Sequence, residues 1–164
     1  HPLIRRIDIE NAKQMLNVCK EEFTSSDIAI FSAAVSDFKP IKYHSNKIKS
    51  RLKSVTLESN IDVLKNLSKR KKKQFIVGFA LETNNEIQNS LNKLHDKNMD
   101  LIVLNSLNDD GAGFGHDTNK IKIIDSDESI KDYPLMSKRD VAISIFNEII
   151  INQISLYDIK KIMK

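Results

Sequence analysis

The sequence predicts a single α/β domain whose doubly wound, mostly parallel sheet carries helices on both faces. Three observations carry that prediction. Ile28 to Ala34 (IAIFSAA), Phe75 to Phe79 (FIVGF) and Leu101 to Leu104 (LIVL) are short apolar runs bounded by polar residues, the pattern of strands covered on both faces. Between them the apolar residues switch to helical spacing, and such alternation points to an α/β sheet. A chain of 164 residues, 40% of it apolar, is long enough for one core and short for two.

Taken in order, Leu3 to Ile7 is β-prone and predicts a first strand. Ala12, Met15, Leu16, Cys19 and Phe23 then recur at helical spacing, which predicts a helix over Asn11 to Phe23. After the first apolar run the chain breaks at Ser36-Asp37-Phe38-Lys39-Pro40. Ile41 to Lys53 is polar, lysine-rich and without period, so it reads as a loop before a strand at Val55 to Leu57. Asn60 to Lys69 makes a short helix with Val63, Leu64 and Leu67 on its apolar side. Glu86 to Lys97 is amphipathic around Ile87, Leu91 and Leu94. Asn105 to Asn119 holds three of the four glycines and reads as a long loop returning into a strand at Lys120 to Ile124 (KIKII). Ser137 opens the last strong helix, with Asp140 three residues on as in a capping box and Val141, Ile145, Phe146 and Ile149 as its inner stripe. Ile154 to Lys164 reads as a tail or weak helix.

Composition narrows the function classes. The apolar runs fall far short of the roughly 18 residues that span a bilayer, so no membrane partner is expected. One cysteine, Cys19, excludes an internal disulfide and a thiolate cage for zinc, and fits a reduced thiol in a cytoplasmic protein. The net charge is only +4. The basic run Lys69-Arg70-Lys71-Lys72-Lys73 has no interleaved aromatics on which bases could stack, so it reads as a solvated face and no nucleic-acid partner is expected. His1 and Pro2 lead directly into charged residues, unlike a signal peptide. Without an initiator Met, the chain is expected to begin partway through a longer protein.

In a doubly wound sheet, ligands sit beyond the carboxyl ends of the strands, where strand-to-helix turns collect. Those ends supply Ser36-Asp37-Phe38, Gly78 to Thr83, and Asn105. Singly, each is an ordinary turn former or cap; together they mark one edge. Neither a Walker loop nor a GxGxxG fingerprint is present, so any phosphate must be met by lysines. Lys47 and Lys49 lie in the polar loop, and Lys93 and Lys97 stand four apart on one side of a helix. By pattern alone these two are ordinary solvated lysines flanking the core. The four histidines, His1, His44, His95 and His116, show no metal-ligand spacing.

Ser32-Ala33-Ala34-Val35-Ser36-Asp37-Phe38, Asn46-Lys47-Ile48-Lys49, Val77 to Thr83, Asp100 to Asn105 and Asp117-Thr118-Asn119-Lys120 together resemble, in order and spacing, the bacterial phosphopantothenate–cysteine ligase family. The resemblance implies a Rossmann-related fold, spanning 1–152 with 153–164 as a C-terminal tail, that works as a homodimer. It implies coenzyme A biosynthesis: CTP activates 4'-phosphopantothenate as an acyl-cytidylate, and L-cysteine then displaces CMP. It further implies that Ser32 and Ala33 contact the cytidine, that Asp37 contacts the nucleotide and its Mg²⁺, and that Lys47 is catalytic at the triphosphate. Ile61, Asp62, Val63, Leu64, Phe79, Lys93 and Lys97 match the remaining CTP-binding positions.

Two features depart from the family pattern. Asn60-Ile61-Asp62 replaces Asn-Pro-Asp at the helix entry. The family's opening strand, Gly/Thr-rich turn and a functional Asn are not found before His1, nor is the FMN-dependent decarboxylase to which such ligases are commonly fused. The alternatives are an ATP-using homologue of the same fold and a non-catalytic nucleotide- or RNA-binding module.

Overall fold

The computed structural model describes residues 1–42, 46, 54–106 and 115–162, with backbone alone over 154–162. The elements in chain order are α1 (Ala12–Phe23), β1 (Ile28–Phe31), β2 (Phe38–Pro40), β3 (Leu57–Ser59), α2 (Val63–Ser68), β4 (Phe75–Glu82), α3 (Glu86–Asp96), β5 (Leu101–Ser106), β6 (Thr118–Asp125), β7 (Ile130–Ser137) and α4 (Lys138–Ile162).

Five strands form one sheet in the order β1-β4-β5-β6-β7, and β2 pairs with β3 in a separate ribbon. The β1-β4 and β4-β5 pairings are parallel, while β6 is antiparallel to both of its neighbours. Four of the five strands therefore point one way, as the expected fold class requires.

Alternation along the strands builds two cores. Ile76, Ala80, Ile102, Leu104 and Ile124 face Leu16 and Phe23 of α1, Val63 and Leu67 of α2, and Leu94 of α3. Phe75, Val77, Leu101, Val103, Ile121 and Ile123 face Val141, Ile145 and Ile149 of α4. Fully burying one such side chain contributes roughly 1.5–3 kcal/mol, so these layers dominate the stability of the fold. Gly78 interrupts the bulky run of β4 for a steric reason: a Cβ there would run into the Met99 sulfur and meet Leu64 at 3.2 Å.

Several expectations are corrected. Leu3 to Ile7 forms no strand, because no strand among the described residues pairs with it; Leu3 and Ile4 are exposed and Arg5 instead reaches Glu22 of α1 at 2.9 Å. β1 stops at Phe31 rather than Ala34, since its last partner on β4 is Gly78. The expected break at 36–40 contains the short strand β2, and Val55–Leu57 shifts to Leu57–Ser59 because β2 sets the register. β4 and β5 run on to Glu82 and Ser106 by pairing with each other, and β6 begins at Thr118. β7 has no counterpart among the expected strands: its Pro134, lacking an N–H, is tolerated because β7 is an edge strand. Phe146 lies off the inner stripe and is 52% exposed, being rotated about 100° from Ile145 around the helix.

Caps end the helices where their side chains allow. Asn11 accepts from the Gln14 N–H at the start of α1. The Ser137 hydroxyl accepts from the Asp140 N–H at 3.1 Å and donates to its carboxylate at 2.6 Å, opening α4 as the capping pattern predicts. Asn98, at φ +46°, turns the chain out of α3, and the Met99 N–H reaches back to the Leu94 carbonyl at 3.0 Å.

Candidate functional site

Because β1, β4 and β5 are parallel, their carboxyl ends fall on one edge of the sheet; β6 starts there, and β7 delivers the N-terminus of α4 to it. A cavity of about 860 Å³ opens at this edge, large enough for a nucleotide-sized ligand.

Its walls come from separate stretches of chain. Ser32, Ala33 and Asp37 line it just beyond β1, where the Val35 N–H donates to the Ala33 carbonyl at 3.1 Å in a tight three-residue turn. Asn60 stitches this segment to the entry of α2. Its backbone N–H donates to the Asp37 carbonyl at 2.7 Å, and its side-chain amide donates to the Ser36 carbonyl at 2.9 Å. Ile61, Asp62, Val63 and Leu64 continue the wall. Val63 is also a buried member of the core. Where the family pattern has a proline, this entry is fixed by Asn60 and by Asp62, whose carboxylate accepts the Lys65 N–H at 2.9 Å.

Phe79 leaves β4 on the α4 face and packs against that core, whereas Lys93 and Lys97 arrive from α3 on the opposite face. The cavity thus straddles the end of the sheet. Both lysines are held by carboxylates. The Lys93 ammonium lies 2.6 Å from Glu82 and the Lys97 ammonium 3.0 Å from Asp62. Burial acts to raise the Asp62 carboxyl, but the Lys65 amide and the Lys97 ammonium outweigh it and hold Asp62 below its ordinary range. Asp37 is exposed at the rim and has no ion-pair partner among the described residues. No cluster of three or more His, Cys, Asp or Glu side chains able to hold a metal exists among the described residues. A lone carboxylate suits an ion that arrives already bound to phosphates, since Mg²⁺ keeps most of its shell as water and phosphate oxygen.

Residues 1–152 match the model of the DNA/pantothenate metabolism flavoprotein C-terminal domain. The chain belongs to that family. It is 47% identical over 150 residues to a protein named cysteine/cysteine sulfinic acid decarboxylase from an unknown prokaryotic organism, covering 90% of this chain and 42% of that protein. It is 41% identical over 145 residues to the coenzyme A biosynthesis bifunctional protein CoaBC of Bacillus subtilis strain 168, covering 87% of this chain and 36% of that protein. The chain therefore spans less than half the length of either relative. Among solved structures, the C-terminal domain of a coenzyme A biosynthesis bifunctional protein CoaBC is 33% identical, with a TM-score of 0.72 over 93% of this chain and 68% of that one. A DNA/pantothenate metabolism flavoprotein from Streptococcus pneumoniae, 18% identical, shares the fold with a TM-score of 0.73, covering 93% of this chain and 73% of that one.

Every sequence-predicted site residue except Lys47 lines the cavity. Lys47, with Lys49, lies outside the described residues. Sequence reasoning missed the α4 contribution, Lys138, Val141, Ala142 and Ile145. The Ser137 cap marks where this helix begins, but the direction in which β7 delivers it depends on an unforeseen strand. Asn119 is a further wall residue that sequence reasoning did not assign to the site. It is buried, donates to the Asn105 side chain at 3.2 Å and closes the cavity floor between β5 and β6.

Among the described residues no helix is long and apolar enough to cross a membrane.

Proposed function

We propose that this domain joins 4'-phosphopantothenate to L-cysteine in coenzyme A biosynthesis, with CTP as the activating nucleotide. One observation carries the reading: residues from 32–37, 61–64, 79 and 93–97, distant in sequence, meet on a single cavity at the carboxyl edge of the sheet. The kinship to CoaBC proteins supplies the reaction class.

In this reading the substrate carboxylate attacks the α-phosphorus of CTP and pyrophosphate leaves. The cysteine amine then attacks the acyl carbon, loses a proton, and CMP departs. Ser32, Ala33 and Phe79 frame the nucleoside; Lys93 and Lys97 meet its anionic groups or base edge. Asp37 would hold the Mg²⁺ carried on the phosphates, which lowers the charge the attacking carboxylate must approach. Lys47 is assigned to charge that develops on the reacting phosphate in the transition state. The same reading takes the protein as a cytoplasmic homodimer, with an FMN-dependent decarboxylase fused upstream. The decarboxylase name of the 47% identical relative describes a protein of which this chain matches 42%.

Competition binding of CTP, UTP and ATP to the intact protein tests the proposal. CTP is expected to bind tightest. Phe79→Ala combined with Lys93→Ala should weaken CTP binding at least about tenfold, the effect of about 1.4 kcal/mol, and narrow its margin over ATP. A folded double variant with unchanged preference removes these residues from the site. ATP preferred by the wild type would favour the ATP-using homologue, and salt-steep binding without base preference would favour a nucleic-acid module. The expected activity is pyrophosphate release that needs CTP and 4'-phosphopantothenate, stops at a stoichiometric burst without cysteine, and turns over repeatedly only when cysteine is added.

A further inference from the structure

We infer that Glu82, which belongs to no wall of the cavity, is the positioning residue that sets where the Lys93 ammonium meets the nucleotide. The inference rests on the functional reading above and deepens it.

Glu82 is the last residue of β4, opposite Ser106 of β5, and its side chain is only 12% exposed. Both carboxylate oxygens are engaged from α3. Oε1 lies 2.6 Å from the Lys93 ammonium, and Oε2 accepts from the Asn89 amide at 3.2 Å. Asn89 and Lys93 stand one turn apart on the same helix face. The Asn89 amide also donates to the Asn84 carbonyl at 2.9 Å, which ties the strand-to-helix turn into the same cluster.

A lysine ammonium on a four-carbon stem is otherwise free to sweep through solvent. Lys93 is 45% exposed and lines the cavity, so nothing but this contact fixes its reach among the described residues. A carboxylate placed behind the wall, on a strand end that cannot shift without disturbing the sheet, holds the cation pointed along the cavity edge before any ligand arrives. Immobilising that side chain in advance removes an ordering cost from binding. Lys97 is held differently, by Asp62, which itself lines the cavity and competes directly with an incoming anion. The Glu82 carboxylate lies off the wall and keeps its grip on Lys93 while the ligand is bound.

The opposite relation, in which Lys93 merely neutralises a buried carboxylate, predicts that Lys93→Ala lowers the melting temperature and that Glu82→Ala leaves CTP affinity untouched. A double-mutant cycle separates the two. CTP dissociation constants are measured by calorimetry on the intact protein for the wild type, Glu82→Ala, Lys93→Ala and the pair, with thermal melts alongside. Glu82→Ala and Lys93→Ala are each expected to weaken CTP binding roughly three- to tenfold, the range for partly exposed charge pairs. The pair is expected to bind no more weakly than Lys93→Ala alone. Glu82→Gln, which keeps the length and one acceptor oxygen, is expected to lose less than Glu82→Ala and gives a second measurement if the alanine variant fails to fold. Losses that multiply in the double variant, or equal losses for Gln and Ala, overturn the positioning role while leaving the CTP reading intact. A wild type that does not bind CTP overturns both.

Discussion

Asp62 serves two elements at once, capping α2 through the Lys65 amide and holding Lys97 at the cavity wall. Its lowered carboxyl has a defined consequence for acid stability. The ionised form is favoured in the folded state, so the stabilisation is present above the unfolded value, near pH 4, and is lost as pH falls through the lower folded value. Asp62→Asn keeps a competent cap and removes the charge. Because the side chain is 39% exposed, solvent screening limits the expected loss to under about 1 kcal/mol at pH 7. Urea unfolding at pH 7 and again near pH 2.5 should show the gap between wild type and variant closing in acid. A gap that is the same at both pH values would mean that the ion pair contributes nothing. Tyr133 gives the alkaline counterpart. Desolvation first, and then the hydrogen bond to Glu148 and its charge, push the phenol up to about 12. The neutral phenol is favoured in the fold, so this stabilisation is complete below about pH 10 and disappears as pH climbs through about 12. Tyr133 should therefore ionise late in an ultraviolet titration, and Tyr133→Phe should remove that contribution.

At the scale of elements, α3 depends on how it stops. Asn98 adopts φ +46° just past Lys97, a conformation that costs a β-branched residue roughly 1–2 kcal/mol. Asn98→Val should destabilise the protein by about that amount, and Asn98→Gly should be neutral or better by chemical denaturation. Equal stability of Val and Gly would show that the cap is not held in this geometry. The elements also differ in how far the local sequence specifies them. Apolar runs mark β4, β5 and β6 because burial on both faces forces nearly continuous Ile, Val and Leu. The caps at Asn11 and Ser137 are legible because their hydrogen bonds are local. β7 is not, because an edge strand needs no apolar run and its IKDYPLMS carries a proline. Leu3 to Ile7 has the composition of a strand without a partner, which no local pattern reveals. The candidate site is legible mainly through five words in register. The Glu82–Lys93 and Asp62–Lys97 pairs join residues 11 and 35 positions apart, and only the packing of α3 on β4 and α2 makes them visible.

On the scale of the whole molecule, three helices cover one face of the sheet and α4 the other, and the proposed ligand site lies where both layers end. The latch between α4 and β7 is polar. Glu148, only 6% exposed, accepts from the Tyr133 hydroxyl and from the Lys131 ammonium, each at 2.7 Å. Glu148→Ala should leave the part-buried Tyr133 hydroxyl without its acceptor, while the half-exposed Lys131 turns to water, and cost about 1–3 kcal/mol; Glu148→Gln should recover part of the loss. β1 is the opposite case. Among the described residues it pairs with β4 alone, along four residues, and Ile28 and Ile30 are 40% exposed there. Hydrogen exchange should accordingly find its amides opening sooner than those of β4 and β5, which are paired on both sides. CTP at saturation should slow exchange in β1, and unchanged rates there would separate the strand from the site.

That thin edge means that catching a ligand and finishing the fold are one equilibrium at this corner of the protein. Ser32, Ala33 and Asp37 stand in place only while the four residues before them stay zipped to β4. Any measured affinity then contains the free energy of closing that zipper. Mild denaturant or warming, short of the global transition, should erode nucleotide binding first, and a substitution that merely tightens the seam, far from any ligand atom, should sharpen it.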